Sequence, residues 1–143
     1  WLAALDEALR PRLVGRKLPR VLHHADLRAK HVQIAPDGAV LGYLDWSTAE
    51  DEALPFWDLF HLVVHERKQV NGGTAGATWR ALRDGRDVPP HASEALAIYA
   101  RDLALDDETV RALVELYPVY VTAMGAKNWD YSRPRWLHRH FEV

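Results

Sequence analysis

His24-Ala25-Asp26-Leu27-Arg28-Ala29-Lys30-His31 is the stretch on which the reading of this chain turns, together with Asp45-Trp46-Ser47 fourteen residues beyond His31. An aspartate two residues after a histidine, then a second aspartate closing an apolar run, pairs a candidate base with a candidate ligand for a hard cation. The sequence between them says why they belong together. Val32-Gln33-Ile34-Ala35 and Val40-Leu41-Gly42-Tyr43-Leu44 flank Asp37-Gly38, and Asp-Gly between apolar runs is a strong hairpin signal. A hairpin brings its ends together, so Asp26, His31 and Asp45 come within reach of one another.

Upstream, Leu2, Leu5, Leu9 and Leu13 recur at helical spacing and predict an amphipathic helix over 1–14. Pro19 marks a boundary, and Arg20-Val21-Leu22-His23 reads as a short strand entering the 24–31 loop. Downstream, Pro55 opens a strongly apolar helix, Phe56 to His65, expected at the centre of the core. Asn71 to Gly76 breaks the pattern; Gly72-Gly73-Thr74-Ala75-Gly76 lacks the Lys-Ser/Thr of a phosphate loop and reads as a flexible linker. Leu96, Tyr99, Ala100 and Leu103 predict a helix over 92–105. Asp106-Asp107-Glu108 favours another helix start, running from about 107, kinked or interrupted at Pro118 and ending near Gly125. The aromatic, basic tail from Trp129 to Phe141 is expected to pack on the body, with Trp129, Tyr131 and Trp136 as alternative pocket-lining residues. The expected architecture is α+β, mainly α, in a single domain over 1–143.

Composition narrows the classes. A net charge of −2 gives no electrostatic case for nucleic acid. The chain has no cysteine, which removes disulfides and thiolate zinc sites and fits a cytoplasmic setting. No apolar run reaches the ~20 residues of a membrane span, and no signal-peptide pattern opens the chain. The chain starts at Trp1 and its single methionine is Met124, so further residues are expected upstream.

His24-Ala25-Asp26-Leu27, Leu44-Asp45-Trp46 and Leu54-Pro55-Phe56-Trp57-Asp58-Leu59 resemble, in that order, three motifs of the aminoglycoside phosphotransferase and choline kinase family. Its members show His-Gly-Asp-Leu with an asparagine further on, a hairpin ending Ile-Asp-Trp, and a Pro-Leu-x-Asp-Leu helix start. The resemblance covers residues 21–65 and concerns the C-terminal lobe of a kinase-like fold. It implies that the nucleotide-binding N-terminal lobe has no counterpart in the 23 residues before His24.

The resemblance also implies roles. Asp26 would accept or orient the proton of an attacking hydroxyl, and Arg28 and Lys30 would neutralise the transferred phosphoryl group of ATP or GTP. Asp45 would hold Mg²⁺, or Mn²⁺, against the nucleotide phosphates. His24 would brace the loop, and Asp58 would accept amide hydrogen bonds of that loop from the helix start. His31 stands where the family has asparagine; imidazole is a softer ligand, so a second metal contact there would be altered, water-mediated or absent. The expected partners are a nucleotide and a small hydroxyl substrate, with self-association through the surface facing the missing lobe.

Two rival classes remain open. One is a non-catalytic kinase-like binding module, a pseudokinase or gene fragment. The other is a metal hydrolase using His23, His61, His65 and Asp45, since His61 and His65 stand at i, i+4. A histidine pair packed in or beside the core explains that spacing without a metal. Asp102, Asp106 and Asp107 could meet a cationic substrate, though helix capping accounts for the last two.

Overall fold

Helix α2 carries the rest of the chain. The structure, a computed structural model, describes residues 2–127. Within α2 (Trp57–Asn71), Trp57, Phe60, His61 and Val64 share one buried face, the helical spacing of an apolar stripe. Around it stand α3 (Ala75–Arg83), α4 (Pro90–Asp102) and α5 (Asp107–Lys127), and α1 (Leu2–Leu13) packs on α5. The core forms where Phe56, Trp57, Phe60 and Val64 meet Trp79, Leu113, Tyr117 and Tyr120. Trp57 stacks on Tyr120 at 4.3 Å between ring centres, and Phe60 meets Tyr117 edge-on at 5.1 Å, geometries that aromatic quadrupoles favour.

Two antiparallel pairs complete the α+β architecture of the described residues. The hairpin joins β2 (Val32–Ile34) to β3 (Val40–Tyr43), with Val32 opposite Tyr43 and Gln33 opposite Gly42. Gly38 takes φ 88° at its turn, and the Asp37 carboxylate accepts the Ala39 amide at 3.0 Å. The other pair sets β1 (Val21–His23) against β4 (Glu50–Ala53). Among the described residues, no helix is long and apolar enough to cross a membrane.

Several expectations are revised. Gly72 to Gly76 is not a linker: Gly72 and Gly73 take φ 70° and 95°, and the Thr74 side chain accepts the Ala77 amide to cap α3. The strand β4 was not predicted, because Glu50-Asp51-Glu52-Ala53 has no apolar alternation. Helix α4 spans Pro90–Asp102 rather than 92–105. The tail from Trp129 to Phe141 lies outside the described residues.

Pro118 neither interrupts nor ends α5, which passes through it and through Gly125 to Lys127. Without an N–H, Pro118 deprives the Val114 carbonyl of its helical partner. The Trp79 indole N–H from α3 donates to that carbonyl at 2.7 Å. One turn of α5 is thus completed by a side chain from another helix. Helix α1 docks on the same helix through Arg12 to Glu115 at 2.7 Å and Arg16 to Asp106 and Glu108, both at 2.5 Å. Asp106 also caps α5, accepting the Thr109 amide at 2.7 Å.

Candidate functional site

Asp58 sits in the first turn of α2, where the helix dipole favours negative charge. Its two oxygens accept the amides of His24 at 2.6 Å and Ala25 at 3.0 Å. His23 Nε2 lies 3.1 Å from the same carboxylate and 2.9 Å from the Tyr120 hydroxyl, which donates to the Ala25 carbonyl. Burial opposes ionisation of Asp58, but the His23 and amide contacts outweigh it and lower its pKa. The 24–31 loop is therefore tied to both α2 and α5.

His24 links the two aspartate-bearing turns. Its Nδ1 accepts the Asp26 amide at 3.4 Å, and its Nε2–H donates to the Leu44 carbonyl, next to Asp45, at 2.7 Å. Trp46 packs against the His24 ring at 4.8 Å, and the His31 ring stacks on it at 5.6 Å. Thr48 donates to the His24 carbonyl at 3.1 Å.

His31 closes the loop. Its backbone carbonyl accepts the Leu44 amide at 2.8 Å, and its Nδ1–H donates to the Asp26 carbonyl at 2.8 Å. Its Nε2 lies 3.6 Å from Asp45 Oδ2. The Asp45 side chain is 55% exposed, so solvent and ligands reach it, and Ser47 donates to its Oδ1 at 2.9 Å.

Asp26 is the other pole. Arg28 Nη2 lies 2.5 Å from its Oδ1, and His61 Nε2 lies 3.6 Å from the same oxygen. Burial disfavours the charged carboxylate, but His61 and Arg28 more than compensate and hold its pKa at about 2. Asp26 is ionised at neutral pH. Lys30 is exposed in the 3₁₀ turn Ala29–His31 and stands apart from this cluster.

Backbone strain gathers in this region. Ala25, Asp45 and Phe56 take φ 70°, 63° and 82°, a region that side chains other than glycine disfavour. They are a residue of the loop, the second aspartate itself and the residue that precedes α2.

Of the residues singled out in the sequence, His24, Asp26, Arg28, His31, Asp45 and Asp58 converge, and Lys30 does not join them. His61 and His65 stack at 4.3 Å, yet among the described residues no three His, Cys, Asp or Glu side chains are arranged to hold a metal ion. His23 is committed to Asp58 and Tyr120, so the four-residue hydrolase site does not assemble. Sequence reasoning missed the place of His61 behind Asp26, although its spacing of three from Asp58 puts both on one side of α2. Tyr117 and Tyr120 gave no signal, since their partners are 56 and 97 residues away. No family model, curated protein or solved structure matches this chain.

Proposed function

We propose that this chain is the C-terminal, substrate-binding lobe of a kinase-like small-molecule phosphotransferase, which moves the γ-phosphoryl of ATP to a substrate hydroxyl. The observation that carries this reading is the His24 ring, bonded to the Asp26 amide on one side and the Leu44 carbonyl on the other. One buried side chain thereby spaces an ionised carboxylate from an exposed one, which a base and a cation ligand require. Ala25 adds support: the motif it matches has glycine there, and the chain takes φ 70° at that position.

Asp26 orients the substrate hydroxyl and receives its proton late, since a carboxylate with a pKa of about 2 is a weak base. Arg28 turns from Asp26 toward the transferred phosphoryl group. Asp45, with His31 Nε2, would hold a divalent cation that neutralises nucleotide phosphate charge. One nitrogen among oxygen donors suits Mn²⁺ better than Mg²⁺. Leu22, Ile34, Val40 and Leu41 leave apolar side chains exposed, surface that a nucleotide-binding lobe, or a second copy, would cover in part.

A second reading, a non-catalytic binding module, draws on the Arg28–Asp26 contact, which occupies the proposed base. Phosphoryl transfer from ATP, with Mn²⁺ or Mg²⁺, to a panel of amino-sugars and hydroxylated amines separates the two. The assay uses the longest natural form of the protein. Asp26→Asn is expected to lower the rate by about 10²–10⁴-fold without impairing folding. An unchanged rate overturns the assignment of Asp26, and nucleotide binding without transfer favours the second reading.

A further inference from the structure

The two nitrogens of His61 have unequal surroundings. Nδ1 lies 2.8 Å from the Tyr117 hydroxyl, whereas Nε2 is buried without a hydrogen-bond partner, 3.6 Å from Asp26 Oδ1. A buried polar atom left unpaired calls for a physical reason. The neighbours decide the tautomer. Tyr117 is fully buried, and burial raises its pKa, so it stays a neutral phenol. Its hydroxyl donates to Nδ1, which puts the ring hydrogen on Nε2, facing the carboxylate. The other tautomer would aim a lone pair at an anion.

The charged and titratable groups around the ring are Asp26 and Arg28 from the loop, Asp58 and His65 from α2, and Tyr117 from α5. Burial keeps His61 neutral against the pull of Asp26. At 3.6 Å its N–H falls short of a hydrogen bond, while Arg28 holds the same Oδ1 at 2.5 Å. Arg28 Nε is itself buried without a partner. Two donors thus compete for one oxygen, and only one is seated.

We propose that His61 is a positioning residue for Asp26, backed by Tyr117, and that it takes over Oδ1 when Arg28 turns to the transferred phosphoryl group. This rests on the phosphotransferase reading for the part played by Arg28. A shift of about half an ångström closes the His61 bond, and such contacts are often long until substrate is bound. With Oδ1 held first by Arg28 and then by His61, Oδ2 stays turned to the substrate hydroxyl throughout. The carboxylate keeps its orientation at the moment its ion-pair partner leaves.

Nuclear magnetic resonance of the full chain with labelled histidine tests the hand-over. Wild-type His61 is expected as the Nε2–H tautomer, and Tyr117→Phe is expected to leave the proton on Nε2, which still faces Asp26. Arg28→Gln removes the competitor, so the Nε2 proton should move downfield and exchange more slowly with solvent. Asp26→Ala in that background should reverse both changes. An Nδ1–H tautomer in the wild type, or an Nε2 proton indifferent to Arg28→Gln, overturns the hand-over. In the transfer assay, His61→Gln should retain most of kcat, because its amide can reach where Nε2 does. His61→Phe should lose about 10–100-fold in kcat with KM little changed; equal rates for the two variants also overturn it. The resonance measurements need neither nucleotide nor turnover. Their failure removes the hand-over alone, whereas nucleotide binding with no phosphoryl transfer to any acceptor removes the phosphotransferase reading.

Discussion

The Asp58 carboxylate accepts the backbone amide of His24 at 2.6 Å across 34 residues of sequence. Its other oxygen takes the Ala25 amide, and His23 stands against it. One side chain at the start of α2 therefore holds three consecutive residues of the loop. Removing it leaves two amides without their acceptor and the buried His23 imidazole with Tyr120 alone. Asp58→Ala is expected to lower unfolding free energy by about 3 kcal/mol, and Asp58→Asn by less, since the amide keeps one acceptor oxygen. Denaturant unfolding checks this; a loss under about 1 kcal/mol for the alanine variant would count against the clamp.

Stability should begin to fall with acid well above the carboxylate range. Burial lowers the pKa of both His61 and His65, the latter from 6.5 to about 3, where His61, Arg28 and Lys68 add to the effect. Below pH 6.5 the unfolded chain takes protons that the folded chain refuses. Their contribution is therefore complete above that value and is lost as pH falls toward about 3. Asp26 adds a second loss between 3.8 and about 2. Thermal melts should be flat above neutrality and decline from about pH 6.5 downward. His65→Phe should flatten the upper part of that decline; a wild-type curve level down to about pH 4 would show that the histidines are not held neutral.

Ala25→Gly offers a test of the loop backbone. A left-handed conformation costs an alanine about 1–2 kcal/mol, which glycine avoids. Against that gain stand the greater unfolded-state freedom of glycine, about 0.5–1 kcal/mol, and the loss of a buried methyl, about 0.8 kcal/mol. The terms nearly cancel. Equilibrium unfolding should change by less than about 0.5 kcal/mol, where a buried alanine in an ordinary conformation would lose more than 1 kcal/mol. A loss of that larger size would mean that Ala25 does not hold φ 70°.

The parts of this chain that were legible in the sequence are those governed by local chemistry. Asp37-Gly38 announced the hairpin because only a few residues suit its turn, and the leucines of α1 and the apolar face of α2 announced themselves by period. The candidate site was legible in outline because Asp26, Asp45 and Asp58 punctuate those same elements. Strand β4 was hidden: an acidic tetrapeptide becomes a strand only because β1 lies beside it. Helix α3 was misread because two glycines obscured the capping threonine behind them. The partners of His61 and His23 come from α5, a long way along the chain, and no local pattern foretells such a contact.

Pro118 fixes more than the course of its own helix. It leaves one carbonyl unanswered, at a single level along α5, and the Trp79 indole meets it there. Sliding α3 by one turn would strand both a part-buried carbonyl and an indole N–H, at a cost of about 1 kcal/mol or more each. Leucine and valine contacts alone would tolerate such a slip far better. The proline thus works as a key cut for one lock, selecting a single seating of α3 from neighbours that hydrophobic contact by itself would scarcely tell apart.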